Sequence, residues 1–370
     1  MNTRLTSLDA FRGFTIAAMI LVNFPGTWKH VYAPLLHGKW WGMTPTDLIP
    51  SAFLFIVGVS VAFAYTKRKN AGDAPKKMCS KIMIRALKIF LVGMFLRIWS
   101  MLPEFHFEML RLTGTLQRIA FVFLCCGLLF LYTPWRVQAI IGAAILLLYH
   151  AALAYIPTPG YDCVMLEPGV NMAHWVDQQL MPGFMYRRSW YPEGFSVNVS
   201  SIVSGISGML AGVYLLSSHS WERKVINLFL AGGLAIIVGI MWGWGSVLGV
   251  NTNLWSPPYV LVSSGFAASA LAACIYVIDI LGKKNHPVVN FCVIYGMNAI
   301  AVFVLADLLA PLFYMLKIGG LPLNDLFVQF MSEVLFFTTK FASMCYAIIY
   351  VLICFIPAYF LYRKKILIKL

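Results

Sequence analysis

Ten apolar runs dominate this chain, at 8–24, 46–66, 82–101, 114–132, 138–156, 198–217, 225–248, 258–281, 290–314 and 341–362. A bilayer core demands about 20 predominantly apolar residues per crossing helix. It also holds no water to satisfy open backbone groups, so only helices or closed barrels span it. Barrel strands alternate apolar and polar residues in segments of about 10, whereas these runs are continuous. The chain is 60% hydrophobic and 11% charged. Soluble domains carry about 25% charged residues, so a water-soluble fold would have nowhere to bury this surface. The expected fold is all-α, a polytopic membrane helix bundle of about ten transmembrane helices, with residues 1–370 forming a single transmembrane domain.

The formal net charge of +14 raises nucleic acid as a partner, but the positions of the charges remove it. The basic residues fill links between apolar runs: "KRKNAGDAPKKMCSK" at 67–81, "ERK" at 222–224, "GKKNH" at 282–286 and "RKKILIK" at 363–369. Such links mark cytoplasmic loops; a nucleic-acid site needs basic groups along a phosphate backbone. With the N-terminus inside, Arg4, Arg12, the eight basic residues from Lys67 to Lys88, Arg136, Arg223, Lys224, Lys283, Lys284 and the four at the C-terminus are cytoplasmic, 19 of 28. Both termini are therefore expected in the cytoplasm, with 22–48, 102–113, 157–197, 249–257 and 315–340 on the outer face.

The eight cysteines show no C-x-x-C spacing, so neither a disulfide framework nor a metal site is expected. The 157–197 loop is rich in aromatics, Gly and Pro; loops beyond about 15 residues in compact folds are often functional. Ser204, Gly208 and Gly212, and again Gly239 and Gly243, repeat small residues one turn apart. That spacing predicts close helix packing and is compatible with a homodimer. Residues 325–337 are apolar but short, and are expected as a surface or re-entrant helix.

Between the first two runs lies "VNFPGTWKHVYAPLLHGKWWGMTPTDL", residues 22–48. Asn23 closes the first run, and Asp47 opens the second after the helix-start signal "TPTD". A carboxylate there caps the helix and complements its dipole, and the same group can orient an imidazole. His37, flanked by apolar and aromatic residues, is the better placed of the two loop histidines; a water-poor pocket around it is expected. His30, beside Trp28 and Lys29, has fewer restraints. Neither histidine has metal spacing. Further polar groups stand where a membrane makes them costly: Arg97, Gln117, Arg118, Asn298 and Asp307, with Glu193 in "WYPEGFSVNVSS" leading into the sixth run. Buried pairing alone would explain several of them. A cavity in the outer half is the functional reading, and a transporter or flippase for a sugar or glycan is the alternative class.

"SLDAFRGFTIAAMILVN", "PLLHGKWWGMTPTDLIPSAFLFIVGVSV", "GTLQRIA", "YPEG", "NLWSPPYVLVSSGF" and "GMNAIAVFV" stand in this order. Together they resemble the heparan-alpha-glucosaminide N-acetyltransferase family, the lysosomal enzyme and its bacterial relatives, over nearly the whole chain. The resemblance implies a membrane acyltransferase that takes acetyl-CoA from the cytosol and acetylates the amine of a glucosamine-type sugar or glycan on the far side. It implies His37 as the active-site histidine, Asn23 as its neighbouring asparagine and Asp47 as the aspartate of the "DL" motif. Gly38 stands where alanine is usual, and Ala306 where the lysosomal enzyme is aligned with a further histidine. On this reading Trp28, Trp40 and Trp41 are available to stack on a sugar ring, with Gln117, Arg118, Asn298 and Glu193 around the acceptor. Lys283, Lys284, Arg223 and Lys224 are expected at the phosphates of CoA. A bacterial inner membrane is the expected location, with the active site opening outward.

Overall fold

The computed structural model describes residues 5–101, 110, 112–180 and 193–368, and every structural statement below concerns these. Arg4, most of the 102–113 link, the 181–192 part of the long loop and Lys369 lie outside them. The helices are α1 (Thr6–Asn23), α2 (Pro45–Asn70), α3 (Pro75–Trp99), α4 (Thr115–Tyr132), α5 (Trp135–Tyr155), α6 (Met172–Leu180), α7 (Phe195–Leu215), α8 (Trp221–Trp244), α9 (Pro257–Cys274, continuing as a wider turn to Ile280), α10 (Pro287–Met297), α11 (Ala299–Tyr314), α12 (Leu323–Gln329) and α13 (Thr339–Arg363). A two-residue hairpin, β1 (Lys317–Ile318) with β2 (Leu321–Pro322), follows α11.

Every expected apolar run falls on a helix, but not every one qualifies as a span. Seven helices are long and apolar enough to cross a membrane: α2, α4, α5, α7, α8, α9 with its extension, and α13. The pair α10 and α11 makes an eighth if counted as one. Asp9, Arg12 and Asn23 dilute α1, and a series of lysines and arginines from Lys76 to Arg97 dilutes α3. The run 290–314, expected as one rod, is instead an elbow of 81°. Asn298 leaves the helix at φ −126° and ψ 38°. Its amide Nδ2 donates to the Ile366 carbonyl at 3.0 Å, and its Oδ1 accepts from Ile368 N–H at 2.9 Å. The C-terminal tail thus pairs with both ends of the Asn298 side-chain amide at the elbow.

The chain divides into two compact units. One comprises residues 1–37, 44–50 and 274–370. In it α1 and α10 meet at Gly13 and Gly296: a Cβ on the first would lie 1.7 Å from the Cys292 carbonyl oxygen, and one on the second 1.8 Å from that of Asp9. At the opposite end of α1 the chain is stitched to α13, with Gly26 N–H donating to the Ser343 carbonyl at 3.1 Å. The two helices therefore run antiparallel in this unit.

The other unit comprises residues 38–43 and 51–273. Its centre is α7, and small residues set the approach. A Cβ on Gly208 would fall 1.9 Å from the Phe55 carbonyl oxygen of α2, and one on Gly205 would meet Val122 and Cys126 of α4. Ser204 and Gly212 complete the small face. Gly239 packs on Pro258 and Val262 in the same manner, as the packing rule requires. Ile140, Leu147 and Leu148 of α5 and Leu230, Leu234 and Met241 of α8 point outward and are largely exposed. Apolar surface of this kind belongs to acyl chains, and the protein is an integral membrane protein.

Gly208→Ala should lower stability in detergent by about 1–3 kcal/mol or more, because the added methyl has no room. Gly233→Ala, where no atom lies within 4 Å, is expected to be neutral or mildly stabilising by helix propensity. Thermal unfolding of the two variants checks the difference.

Candidate active site

The loop between α1 and α2 is built by short-range hydrogen bonds. Pro34 initiates a single 3-10 turn, Ala33–Leu35. The Thr46 hydroxyl donates to the Pro34 carbonyl at 3.0 Å. The Thr44 hydroxyl lies 2.7 Å from the Leu36 carbonyl and 3.1 Å from Asp47 Oδ2. Thr44 N–H donates to the same Oδ2 at 2.8 Å. This is a capping arrangement, in which a first-turn carboxylate reaches back to the residue before the helix. It satisfies an orphan backbone donor and places negative charge at the positive end of α2.

The second oxygen of that carboxylate holds the histidine. His37 Nδ1 lies 2.7 Å from Asp47 Oδ1. Asp47 is fully buried, while the His37 side chain is 53% exposed. An ionised carboxylate only accepts, so Nδ1 carries a proton, and in the neutral imidazole Nε2 is the nitrogen that keeps a lone pair. The imidazole is thus half-exposed on a buried anchor. The neighbouring rings differ in their surroundings. Trp40 is buried against Leu153, Ala173, Leu248 and Leu254, and its indole N–H donates to the Leu166 carbonyl at 3.1 Å. Its ring is used in the core. Trp41 is exposed and rests against Gly249, and Trp28 is exposed. Asn23 ends α1, half-buried and outside the bond that joins His37 to Asp47. His30 is exposed and makes no such pair.

The second unit holds a polar cluster of its own. Arg118 is buried, its Nε donating to Asn198 Oδ1 at 2.8 Å and its guanidinium lying 4.4 Å from the Trp255 ring centroid. Trp255 is buried at φ +48°, a left-handed conformation that a bulky residue adopts only when its surroundings over-determine it. Its indole N–H donates to Ser204 Oγ at 3.1 Å, and its carbonyl accepts from Ser200 Oγ at 2.7 Å. Glu193 accepts from Thr115 Oγ1 at 2.8 Å, and Gln117 is buried beside Gly93 and Gly114.

Asp177 caps α7 by accepting from Ser196 N–H at 2.8 Å. Burial pushes its carboxyl pKa up. His174 accepts at Nδ1 from Gly169 N–H and from Asn171 Nδ2, both at 2.9 Å, which fixes the Nε2–H tautomer. Burial pushes its pKa down to about 3. Asn198, Trp255, His174 and Asp177 were not singled out from sequence. Their signals were present: Trp255 lies in the quoted "NLWSPPY", and His174 and Asp177 are spaced to share a helix face.

Of the expected phosphate ligands, Lys283 and Arg223 are exposed. Lys284 Nζ sits 3.5 Å from Asp279 Oδ1, and Lys224 is buried with its ammonium 4.5 Å from the Trp221 ring centroid. Asn298 is occupied by the C-terminal tail. Among the described residues, no three His, Cys, Asp or Glu side chains are grouped to hold a metal ion.

Residues 4–177 match the family described as heparan-alpha-glucosaminide N-acetyltransferase, catalytic. The match takes in His37, Asp47, Arg118 and His174. The mouse (Mus musculus) heparan-alpha-glucosaminide N-acetyltransferase is 25% identical over 352 residues, covering 81% of this chain and 53% of the relative. The human (Homo sapiens) protein of the same name is 24% identical over 353 residues, covering 81% and 52%. The chain thus spans about half the length of the curated relatives it matches.

His174 gives the second unit an acid-sensitive element. Neutral in the fold, its imidazole binds a proton near pH 6.5 once unfolded, so stability falls as pH drops from about 6.5 toward 3. The midpoint of thermal unfolding in detergent should fall between pH 7.5 and 5, and His174→Gln should flatten that slope. Asp177 has the opposite sign and is present in both proteins, so comparing the slopes removes it. Equal slopes would show that His174 is not held neutral.

Proposed function

From a chain related over residues 4–177 to the heparan-alpha-glucosaminide N-acetyltransferase catalytic family, we propose a membrane-embedded acyltransferase. It moves an acetyl group from cytosolic acetyl-CoA to the amine of a glucosamine-type sugar on the outer side, across a bundle of about ten spans with both termini inside. The observation that carries this reading is the 2.7 Å bond between His37 and a fully buried Asp47.

The chemistry follows from that bond. An ammonium cannot attack a thioester, so the sugar nitrogen must first lose a proton. Nε2 of the neutral imidazole accepts it, and Asp47 stabilises the imidazolium that forms. The free amine attacks the thioester carbonyl, the C–N bond forms and the C–S bond breaks; CoA leaves as the thiol with the proton returned from the imidazolium, and the second proton of the attacking nitrogen passes to water as the neutral amide forms. Nε2 can also attack the thioester itself and hold the acetyl group before passing it on. Asn23 serves as donor to the developing oxyanion. Trp41, rather than Trp40, is the ring available to a sugar, and Gln117, Arg118 and Glu193 are the polar groups of the second unit assigned to the acceptor. Lys283, Lys284 and Arg223 are exposed cations of the kind that CoA phosphates meet. A fixed imidazole–carboxylate pair on a loop suits transfer chemistry.

His37→Ala should reduce acetyl transfer to glucosamine by about 10²–10⁴ if the imidazole acts as a base, with CoA binding retained. His30→Ala should remain near wild type. Asp47→Asn should also cost activity, through the wrong imidazole tautomer. Labelled acetyl retained on the protein without acceptor identifies the nucleophile route. Near-normal transfer by His37→Ala would remove the proposal.

A further inference from the structure

Thr44, half-buried at the end of the α1–α2 loop, meets Asp47 in two separate ways. Its backbone forms a reciprocal turn with that residue. Thr44 N–H donates to Asp47 Oδ2 at 2.8 Å, and the Thr44 carbonyl accepts from Asp47 N–H at 3.1 Å. These two bonds build the helix start whatever side chain stands at 44, since every residue but proline supplies the same backbone groups. The hydroxyl is therefore not needed for the cap. Its neighbours are the Leu36 carbonyl oxygen at 2.7 Å and Asp47 Oδ2 at 3.1 Å.

A hydroxyl carries one proton, while a carbonyl and an ionised carboxylate only accept. The shorter distance gives that proton to Leu36. The consequence reaches His37 by two routes. Leu36 leaves the 3-10 turn extended, at φ −96° and ψ 151°, and His37 is the next residue. A bond at the Leu36 carbonyl therefore fixes the backbone from which the imidazole projects. While the hydroxyl is held there it draws no charge toward Oδ2, and Oδ1 keeps its full strength as acceptor for Nδ1–H, 2.7 Å away. If the Leu36 carbonyl moves off, the proton turns to Oδ2, where donation to an ionised group is strong. The hold on Nδ1–H then weakens. Loop position and imidazole anchoring are thus joined in one side chain. Thr46 offers the contrast: its hydroxyl ties the same loop farther back, at the Pro34 carbonyl.

We infer that Thr44 is a positioning residue for the transfer reaction: its hydroxyl bridges the Leu36 carbonyl and the Asp47 carboxylate, and so holds the His37 imidazole with Nδ1 on Oδ1 and Nε2 ready to react. It acts through His37 and not on the acetyl group or the sugar. The role rests on the acetyltransferase reading and adds to it the group that keeps the imidazole in register. The His37 side chain is half-exposed, so its orientation comes from the bonds beneath it. A misplacement of about 1 Å can cost about 10²-fold in rate, which is the scale on which such a bond acts.

The test compares Thr44→Val, Thr44→Ser and Thr46→Val in the full chain, held in lipid nanodiscs. Thr44→Val keeps the backbone cap and the volume, so its thermal unfolding midpoint should stay close to that of wild type; Thr44→Ala takes its place if the valine variant does not fold. With glucosamine as acceptor, Thr44→Val should lower kcat about 10–10²-fold and leave the KM values for acetyl-CoA and the sugar nearly unchanged. Thr44→Ser should restore kcat to near wild type, and Thr46→Val should cost less than Thr44→Val. The NMR shifts of the ring nitrogens of isotopically labelled His37, read where the imidazole is neutral, need no substrate. Wild type and Thr44→Ser should hold the Nδ1–H form, and Thr44→Val should show a mixture with the Nε2–H form. Wild-type kcat in Thr44→Val, a change confined to KM, equal losses in Thr44→Val and Thr46→Val, or a serine variant as impaired as valine would each overturn the inference while leaving acetyl transfer standing. A lowered kcat beside an unchanged His37 tautomer would also overturn it, because Thr44 would then act other than through the imidazole. No transfer by wild type would instead remove the enzymatic reading, and the His37 shifts alone would then decide whether Thr44 positions the ring.

Discussion

The chemical reading depends on one buried carboxylate with two duties. Asp47 closes the N-terminus of α2 by accepting from Thr44, and with its other oxygen it holds the His37 imidazole. A charge withdrawn from water is tolerated only when hydrogen bonds and an opposite field compensate it. Here the helix start supplies both. The first turn of α2 cannot form its cap without placing the carboxylate, and the carboxylate in place fixes the imidazole. Folding of a helix end and assembly of the dyad are therefore one event. Thr44 and Thr46 extend this by tying the loop at Leu36 and Pro34.

The second unit treats its polar groups differently. Arg118 lies within an apolar bundle, where an uncompensated charge would be expensive. It is held by Asn198 and stacked on Trp255, whose own backbone is in a strained conformation. The strain is maintained by Ser200 and Ser204 on α7, the same helix whose glycines allow close approach to α2. Small residues on α7 thus set both the packing distance and the hydroxyl pattern around the arginine. His174 and Asp177 add two further buried groups near the start of α7, one kept neutral by desolvation and one used as a cap.

The helices were legible because lipid imposes a length: α2, α4, α5, α7, α8, α9 and α13 all coincide with apolar runs. A capping carboxylate at Asp47 was legible because "TPTD" announces a helix start, and His37 was singled out by its apolar flanks and by the family resemblance; the bond between them is what the fold adds. The elbow at Asn298 was not legible, since one asparagine barely lowers the hydropathy of a long run and its partners lie 68 and 70 residues away. Trp40 and Trp41 are adjacent and look alike in sequence, yet one is core and the other exposed; only tertiary packing on Leu153 and Leu254 decides between them. The same is true of Trp255 and His174, whose roles come from contacts far along the chain or from burial, and composition does not report either.

An experimentally determined complex with acetyl-CoA would test the central claim most directly. The quantity to read is the distance from the thioester carbonyl carbon to His37 Nε2. The dyad account predicts a carbonyl within reach of that nitrogen, at about 3–3.5 Å for direct attack or displaced by the width of one bound amine, with Nδ1 still on Asp47. A thioester held away from the His37 loop, or an imidazole turned so that Nε2 rather than Nδ1 meets Asp47, would contradict it.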